Sequence, residues 1–169
     1  MTLSMYQASV PVFKQLLGGL SAVLAKAEAH AAAKKIEPTA LLQARLYPDM
    51  FALLRQVQVA CDFSKSVSAR LAGVEVPGFE DMEQTFADLQ ARIAKTLAFV
   101  DSLTAEQIDG SESRQIVTQA GTPKEKTFTG QSYLFNYGLP HFFFHTSAAY
   151  SVLRHNGVEV GKKDYIGTY

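Results

Sequence analysis

Apolar side chains recur at Leu3, Tyr6, Val10, Phe13, Leu17, Leu20, Leu24 and Ala27. Steps of three and four residues line one face of a helix, so the pattern predicts a long first helix capped by Ser4. Pro11 removes a backbone donor and threatens a kink, and Gly18 and Gly19 each weaken the middle by roughly 1 kcal/mol relative to alanine. The same glycines let another helix come close. Residues 31–47 read as a connector, with a short helical turn after Pro38.

Pro48 and Asp49 mark the start of a second helix, with Met50, Leu53, Leu54, Val57, Cys61 and Leu71 inward and Gly73 ending it. A third helix shows Met82, Phe86, Leu89, Ile93, Leu97 and Val100 in the same alternation, with Glu80, Asp81 and Glu83 in its first turn, where negative charge complements the helix dipole. Between Ser111 and Gly130 the period shortens to two. Residues 114–118 and 126–129 flank Ala120-Gly121-Thr122-Pro123, a hairpin pattern.

The last helix spans about Gln131 to His155 and is punctuated by Gly138 and Pro140. Its end is marked by Arg154, His155 and the turn pair Asn156-Gly157. Leu134, Tyr137, His141, Phe144, Ala148 and Val152 form the expected inner seam, while Phe142, Phe143, Tyr150 and Leu153 cover much of the rest. A helix apolar most of the way round needs a second partner: the hairpin, the tail with Tyr165 and Ile166, or another subunit, which favours a homodimer. The whole chain, residues 1–169, reads as one domain. The expected class is all-α, a four-helix bundle with a small β-hairpin inserted before the last helix.

Composition narrows the function classes. Sixteen basic and sixteen acidic residues cancel, which argues against a nucleic-acid partner. No run of eighteen apolar residues points to a membrane span, no secretory leader opens the chain, and the single Cys61 fits a reducing compartment; the reading is cytoplasmic. There is no phosphate-cradling glycine loop, no G-x-S-x-G elbow and no H-E-x-x-H. Nucleotide chemistry and serine hydrolysis have no support.

The opening for chemistry lies in the last helix. His141 and His145 are spaced i, i+4, which puts both imidazoles on one face, close enough to share a divalent ion such as zinc, nickel or iron if another helix supplies a third ligand. Gln58, Asp62 and Asp49 are the cross-bundle candidates, with Cys61 or His30 as further ones. The structural alternative has His141 bonding a carbonyl freed near Pro140 and His145 making a buried bond to a tyrosine or carboxylate. His155 lies ten residues past His145, about 15 Å along the axis, and reads as a helix cap. Tyr133, Phe135, Tyr137, Phe142, Phe143 and Phe144 form an aromatic cluster that could line a small-molecule pocket or simply pack as core.

These residues resemble the DinB/YfiT-like superfamily of four-helix bundles and, more closely, the bacterial domain-of-unknown-function family 1993. The resemblance spans nearly the whole chain. It is carried by Gln56 through Asp62, Arg70-Leu71-Ala72-Gly73, Pro140 through His145, Ala149 through Gly157 and Gly161 through Gly167. It implies a right-handed bundle, frequent dimerisation and, in the wider superfamily, a metal held by one second-helix histidine and an H-x-x-x-H pair. The pair matches His141 and His145; the second-helix position corresponds to Gln58, with Asp62 one turn on. Two functions follow as expectations: a metal-free or degenerate-site dimeric bundle that binds a small molecule or is structural, or a divalent-metal enzyme of thiol-transferase or hydrolase type.

Overall fold

The computed structural model describes residues 4–169, so Leu3 and the residues before it lie outside the described part. Four long helices form the frame: α1 (Val10–Lys34), α3 (Leu53–Ala72), α4 (Phe86–Asp101) and α7 (Leu139–His155). Short helices α2 (Pro38–Leu42), α5 (Ala105–Ile108), α6 (Gly130–Ser132) and α8 (Lys162–Ile166) fill the connections. Strands β1 (Gln115–Thr118) and β2 (Lys126–Thr129) make an antiparallel hairpin in which Ile116 faces Phe128. The long helices close a ring, α1 on α4, α4 on α3, α3 on α7 and α7 back on α1. The expected helical bundle with a hairpin before its last helix is the architecture found.

The first apolar stripe is buried from Val10 to Ala27, and Phe13 meets Phe142 of α7 edge-on at 4.9 Å between ring centroids. The helix begins later than its periodicity suggests. Residues 5–9 form turns, and the Ser4 hydroxyl caps that turn by accepting from Gln7 N–H while donating to Asp109. Pro11 then sits in the first turn of α1, where a missing N–H costs nothing, so it opens the helix and does not kink it.

Two other helices also start late. Residues 47–50 turn back on themselves and α3 begins only at Leu53, whose N–H donates to Ala44 C=O. The helix expected from Glu80 onward begins at Phe86, because Thr85 and Asp88 cap each other: the Thr85 hydroxyl accepts from Asp88 N–H and the Asp88 carboxylate accepts from Thr85 N–H. Residues 74–84 form no regular secondary structure, and Met82, assigned to the core stripe by its spacing, is exposed.

The inner seam of the last helix keeps Leu134, Ala148 and Val152, which are buried as expected, but Phe144 is 57% exposed and Phe142, His145, Thr146, Ala149 and Leu153 are buried as well. Tyr133–Gly138 is a π-helical turn, which adds a residue to that turn. Pro140 has no N–H for the carbonyl four residues back, which loosens the helix there. Gly138 lets α7 seat on α3, since a methyl group at this position would lie 2.7 Å from a Val67 methyl.

The second partner of α7 includes the tail. Tyr165 packs against Tyr150 with centroids 5.7 Å apart, its hydroxyl bonds to that of Ser147, and α8 lies across α1. Gly19 makes that crossing possible: a Cβ there would meet Tyr165 O at 2.5 Å, whereas one at Gly18 meets nothing within 4 Å. Gly18→Ala is therefore expected to hold or gain stability by up to about 1 kcal/mol. Gly19→Ala, its neighbour, should lose stability and loosen α8; urea unfolding of the two variants separates the cases.

Candidate functional site

Successive residues of an α-helix are rotated by about 100°, so side chains two apart in sequence point to nearly opposite sides. On α3 this splits the polar residues into two sets. Gln58, Asp62 and Lys65 face α4, whereas Gln56, Phe63 and Arg70 face α7 and the hairpin.

The α4 side is built around Arg92. This guanidinium is buried, its side chain 1% exposed, and it meets three carboxylates: Asp62 at 2.9 Å, Asp81 at 2.9 Å and Glu83 at 2.9 Å. Burial alone would lower the Arg92 pKa, but Glu83, Asp62 and Asp81 together raise it, so the group is held charged. Lys65 adds a contact to Asp62 at 3.1 Å, and Arg55 pairs with Asp81. The Gln58 amide donates to Glu83 at 2.7 Å and its oxygen accepts from Arg55. Three cations and three carboxylates form a neutral network that clamps the extended segment before α4 onto two helices. Sequence reading assigned Asp81 and Glu83 to a helix dipole and passed over Arg92; its place beside Ile93 on the apolar stripe was the available signal, because a buried arginine requires carboxylate partners.

The α7 side carries the two imidazoles. Nδ1–H of His141 donates to Tyr137 C=O at 2.7 Å, a carbonyl in the turn that Pro140 loosens. Nδ1–H of His145 donates to Gln56 Oε1 at 2.7 Å, and Gln56 in turn donates to Phe51 C=O. Phe63 stacks on both rings, with centroids 4.6 Å from His141 and 6.0 Å from His145. Burial first, then the neighbouring His141 and Arg55, lowers the pKa of His145 to about 4, so its ring is neutral at pH 7. The residue of α3 that meets the pair is thus Gln56, not the expected Gln58.

A metal ligand set is not assembled by these side chains. Gln58 and Asp62 are committed to the Arg92 network, Asp49 is exposed, and the Cys61 thiol is buried, its pKa pushed up to about 12 by desolvation. His30 lies on α1 beside Lys26 and Lys34, and His155 is the exposed last residue of α7, whose cap is Asn156, donating to Val152 C=O. Among the described residues no group of three or more His, Cys, Asp or Glu side chains converges as a metal site would need. The residues present do not fit the three-ligand centre that the resemblance implies.

Beside His141 lies a cleft of about 150 Å³ between α3, the hairpin and the π-helical turn. Asp62, Phe63, Ser66 and Arg70 form one wall, Tyr133 and Tyr137 the other, with Thr118 and Gln119 of the hairpin at its edge. Tyr133 and Tyr137 stack with centroids 5.7 Å apart, and Phe128 leans on both. Arg70 donates to the Tyr133 hydroxyl at 3.0 Å. Of the aromatic cluster read from the sequence, only these two tyrosines line the cleft; Phe142 is core, and Phe143 and Phe144 are exposed.

The family described as Domain of unknown function (DUF1993) matches residues 5–166. A crystal structure of a DinB family member protein from Shewanella denitrificans is 40% identical, with a TM-score of 0.91 over 97% of this chain and 92% of that one. No curated protein matches the chain.

Removing Arg92 leaves three carboxylates around an apolar hole, so Arg92→Leu is expected to cost about 3 kcal/mol or more in urea unfolding, while Asp62→Asn, half open to water, should cost about 1 kcal/mol. His145 sets an acid limit. An unfolded imidazole titrates near 6.5 but the folded one only near 4. The contribution of the neutral ring is complete above about pH 6.5, shrinks as pH falls through that window and is gone below about 4. His145→Gln should therefore lose about 2 kcal/mol less than wild type when unfolding is compared at pH 7 and pH 4.5.

Proposed function

We propose that this chain, which belongs to the DUF1993 family of DinB-like bundles, is a metal-independent small-molecule-binding protein whose site is the cleft beside His141. The observation that carries this is the engagement of Asp62: one carboxylate oxygen is shared between Arg92 at 2.9 Å and Lys65 at 3.1 Å, whereas the two imidazoles bond Tyr137 C=O and the Gln56 amide. To ligate a metal beside them Asp62 would have to give up both cations, leaving the buried Arg92 with Asp81 and Glu83 alone. The π-helical turn on the cleft wall supports the same reading, since such turns concentrate where a helix has been adapted for function.

A specific feature favours the alternative, a divalent-metal enzyme of thiol-transferase or hydrolase type that uses His141 and His145. Both rings spend Nδ1–H on a protein acceptor, which leaves Nε2 as the lone pair, the tautomer that metal-bound histidines adopt. Two such nitrogens without a third donor make a weak site.

The proposal includes a homodimer. Phe51 and Phe144 flank His145, with ring centroids 6.3 and 5.2 Å from it, and are 48% and 57% exposed; Tyr47, on the same connector as Phe51, is 66% exposed. Apolar surface of this kind supports pairing with a second copy. Protein purified without an affinity tag decides both points. Elemental analysis is expected to find zinc, nickel, iron and manganese far below one equivalent even after metal is added, and light scattering to find twice the chain mass. A full equivalent of metal that is lost in a folded His145→Ala variant overturns the metal-independent reading, and a monomer overturns the dimer.

A further inference from the structure

The cleft beside His141 holds a cation without a counterion. Arg70 makes no ion pair among the described residues, and only one of its five N–H donors, that to the Tyr133 hydroxyl, has a protein acceptor. Its guanidinium carbon lies 5.9 Å from the Tyr133 ring centre, so the group is held against an aromatic face. Lys126, also outside every ion pair, lies 5.5 Å above the Tyr137 ring at the hairpin edge. One carboxylate, Asp62, also lines the cleft, but its Oδ1 is held by both Arg92 and Lys65, which offset its charge. What remains is positive charge over stacked aromatic walls in a space of about 150 Å³.

We infer that the cleft binds a small planar anion, a carboxylate carried on an aromatic or similarly flat ring, with its charge on Arg70 and its ring against Tyr137 and Phe63. The fork of an arginine matches the two oxygens of a carboxylate, and two parallel charge-assisted bonds fix the ligand's plane as well as its place. Tyrosine and phenylalanine faces then stack on a flat ring and leave a puckered one poorly covered. The space of about 150 Å³ matches one six-membered ring, since an enclosed cavity of that volume holds benzene. Tyr133 adds selectivity: burial raises its pKa, with Arg70 opposing, so its hydroxyl keeps its proton and accepts from Arg70 without adding negative charge.

The inference rests on the small-molecule reading of this site, and the test separates the two. Benzoate, its neutral isostere benzamide and its puckered analogue cyclohexanecarboxylate are titrated into isotopically labelled protein by NMR. Benzoate is expected to shift the Arg70 side-chain resonance and the amides of Gln119 and Tyr137, and to bind at least about tenfold more tightly than benzamide. Arg70→Gln should abolish that preference and Arg70→Lys should restore part of it. Tyr137→Leu, at a half-exposed position, should weaken benzoate and leave cyclohexanecarboxylate unchanged. Equal binding of benzoate and benzamide overturns the anion claim while the small-molecule reading stands. Shifts that map elsewhere, or no binding at all, overturn the inference, and the metal analysis above is unaffected by either result.

Discussion

A guanidinium buried to 1% exposure cannot stay charged without carboxylates around it, and the placement of Arg92 organises one whole side of this bundle. Asp62 comes from α3, Asp81 and Glu83 from the segment that precedes α4. To reach the guanidinium that segment must run extended across the helices, and α4 therefore starts only where Thr85 and Asp88 close their cap. The ion cluster and the late helix start are two consequences of one requirement.

The same requirement decides what chemistry remains on the other side of α3. Gln58, Asp62 and Lys65 share one stripe and all join the network: Asp62 pairs with Arg92, Lys65 pairs with Asp62, and Gln58 donates to Glu83. The opposite stripe, with Gln56, Phe63 and Arg70, is left to face α7. There the imidazoles find an amide and an aromatic ring where a metal centre would need donors, and His145 is kept neutral by the dry surroundings that this packing creates.

Where α7 begins, the π-helical turn, Pro140 and Gly138 act together. The turn widens the helix, Pro140 removes one backbone donor, the Tyr137 carbonyl beside it accepts from His141, and the glycine allows close contact with Val67. The hairpin closes over the widened turn, and Phe128 packs on Tyr133 and Tyr137 to complete a walled cleft. A two-stranded hairpin is marginal by itself, and this aromatic contact is what anchors it.

Periodicity in the chain was sufficient for the number of long helices, the hairpin, the stop at Gly73, the turn at Gly157 and the identity of most core residues, because apolar spacing reports which face of a helix must leave water. It was also enough to bring His141 and His145 onto one helix and to foresee that His141 would bond a carbonyl near Pro140. It could not say which face of α3 meets which neighbour. Gln56 and Gln58 are chemically identical and two residues apart, and only the ring order of the helices decides that one meets an imidazole and the other a carboxylate. Nor could spacing reveal the π-helical turn at Tyr133–Gly138, or that Phe142 is buried and Phe144 exposed while Ala148 and Val152 keep the inward places their spacing gave them. Local pattern determined the elements, while the long-range pairing of charges and rings determined what each element does.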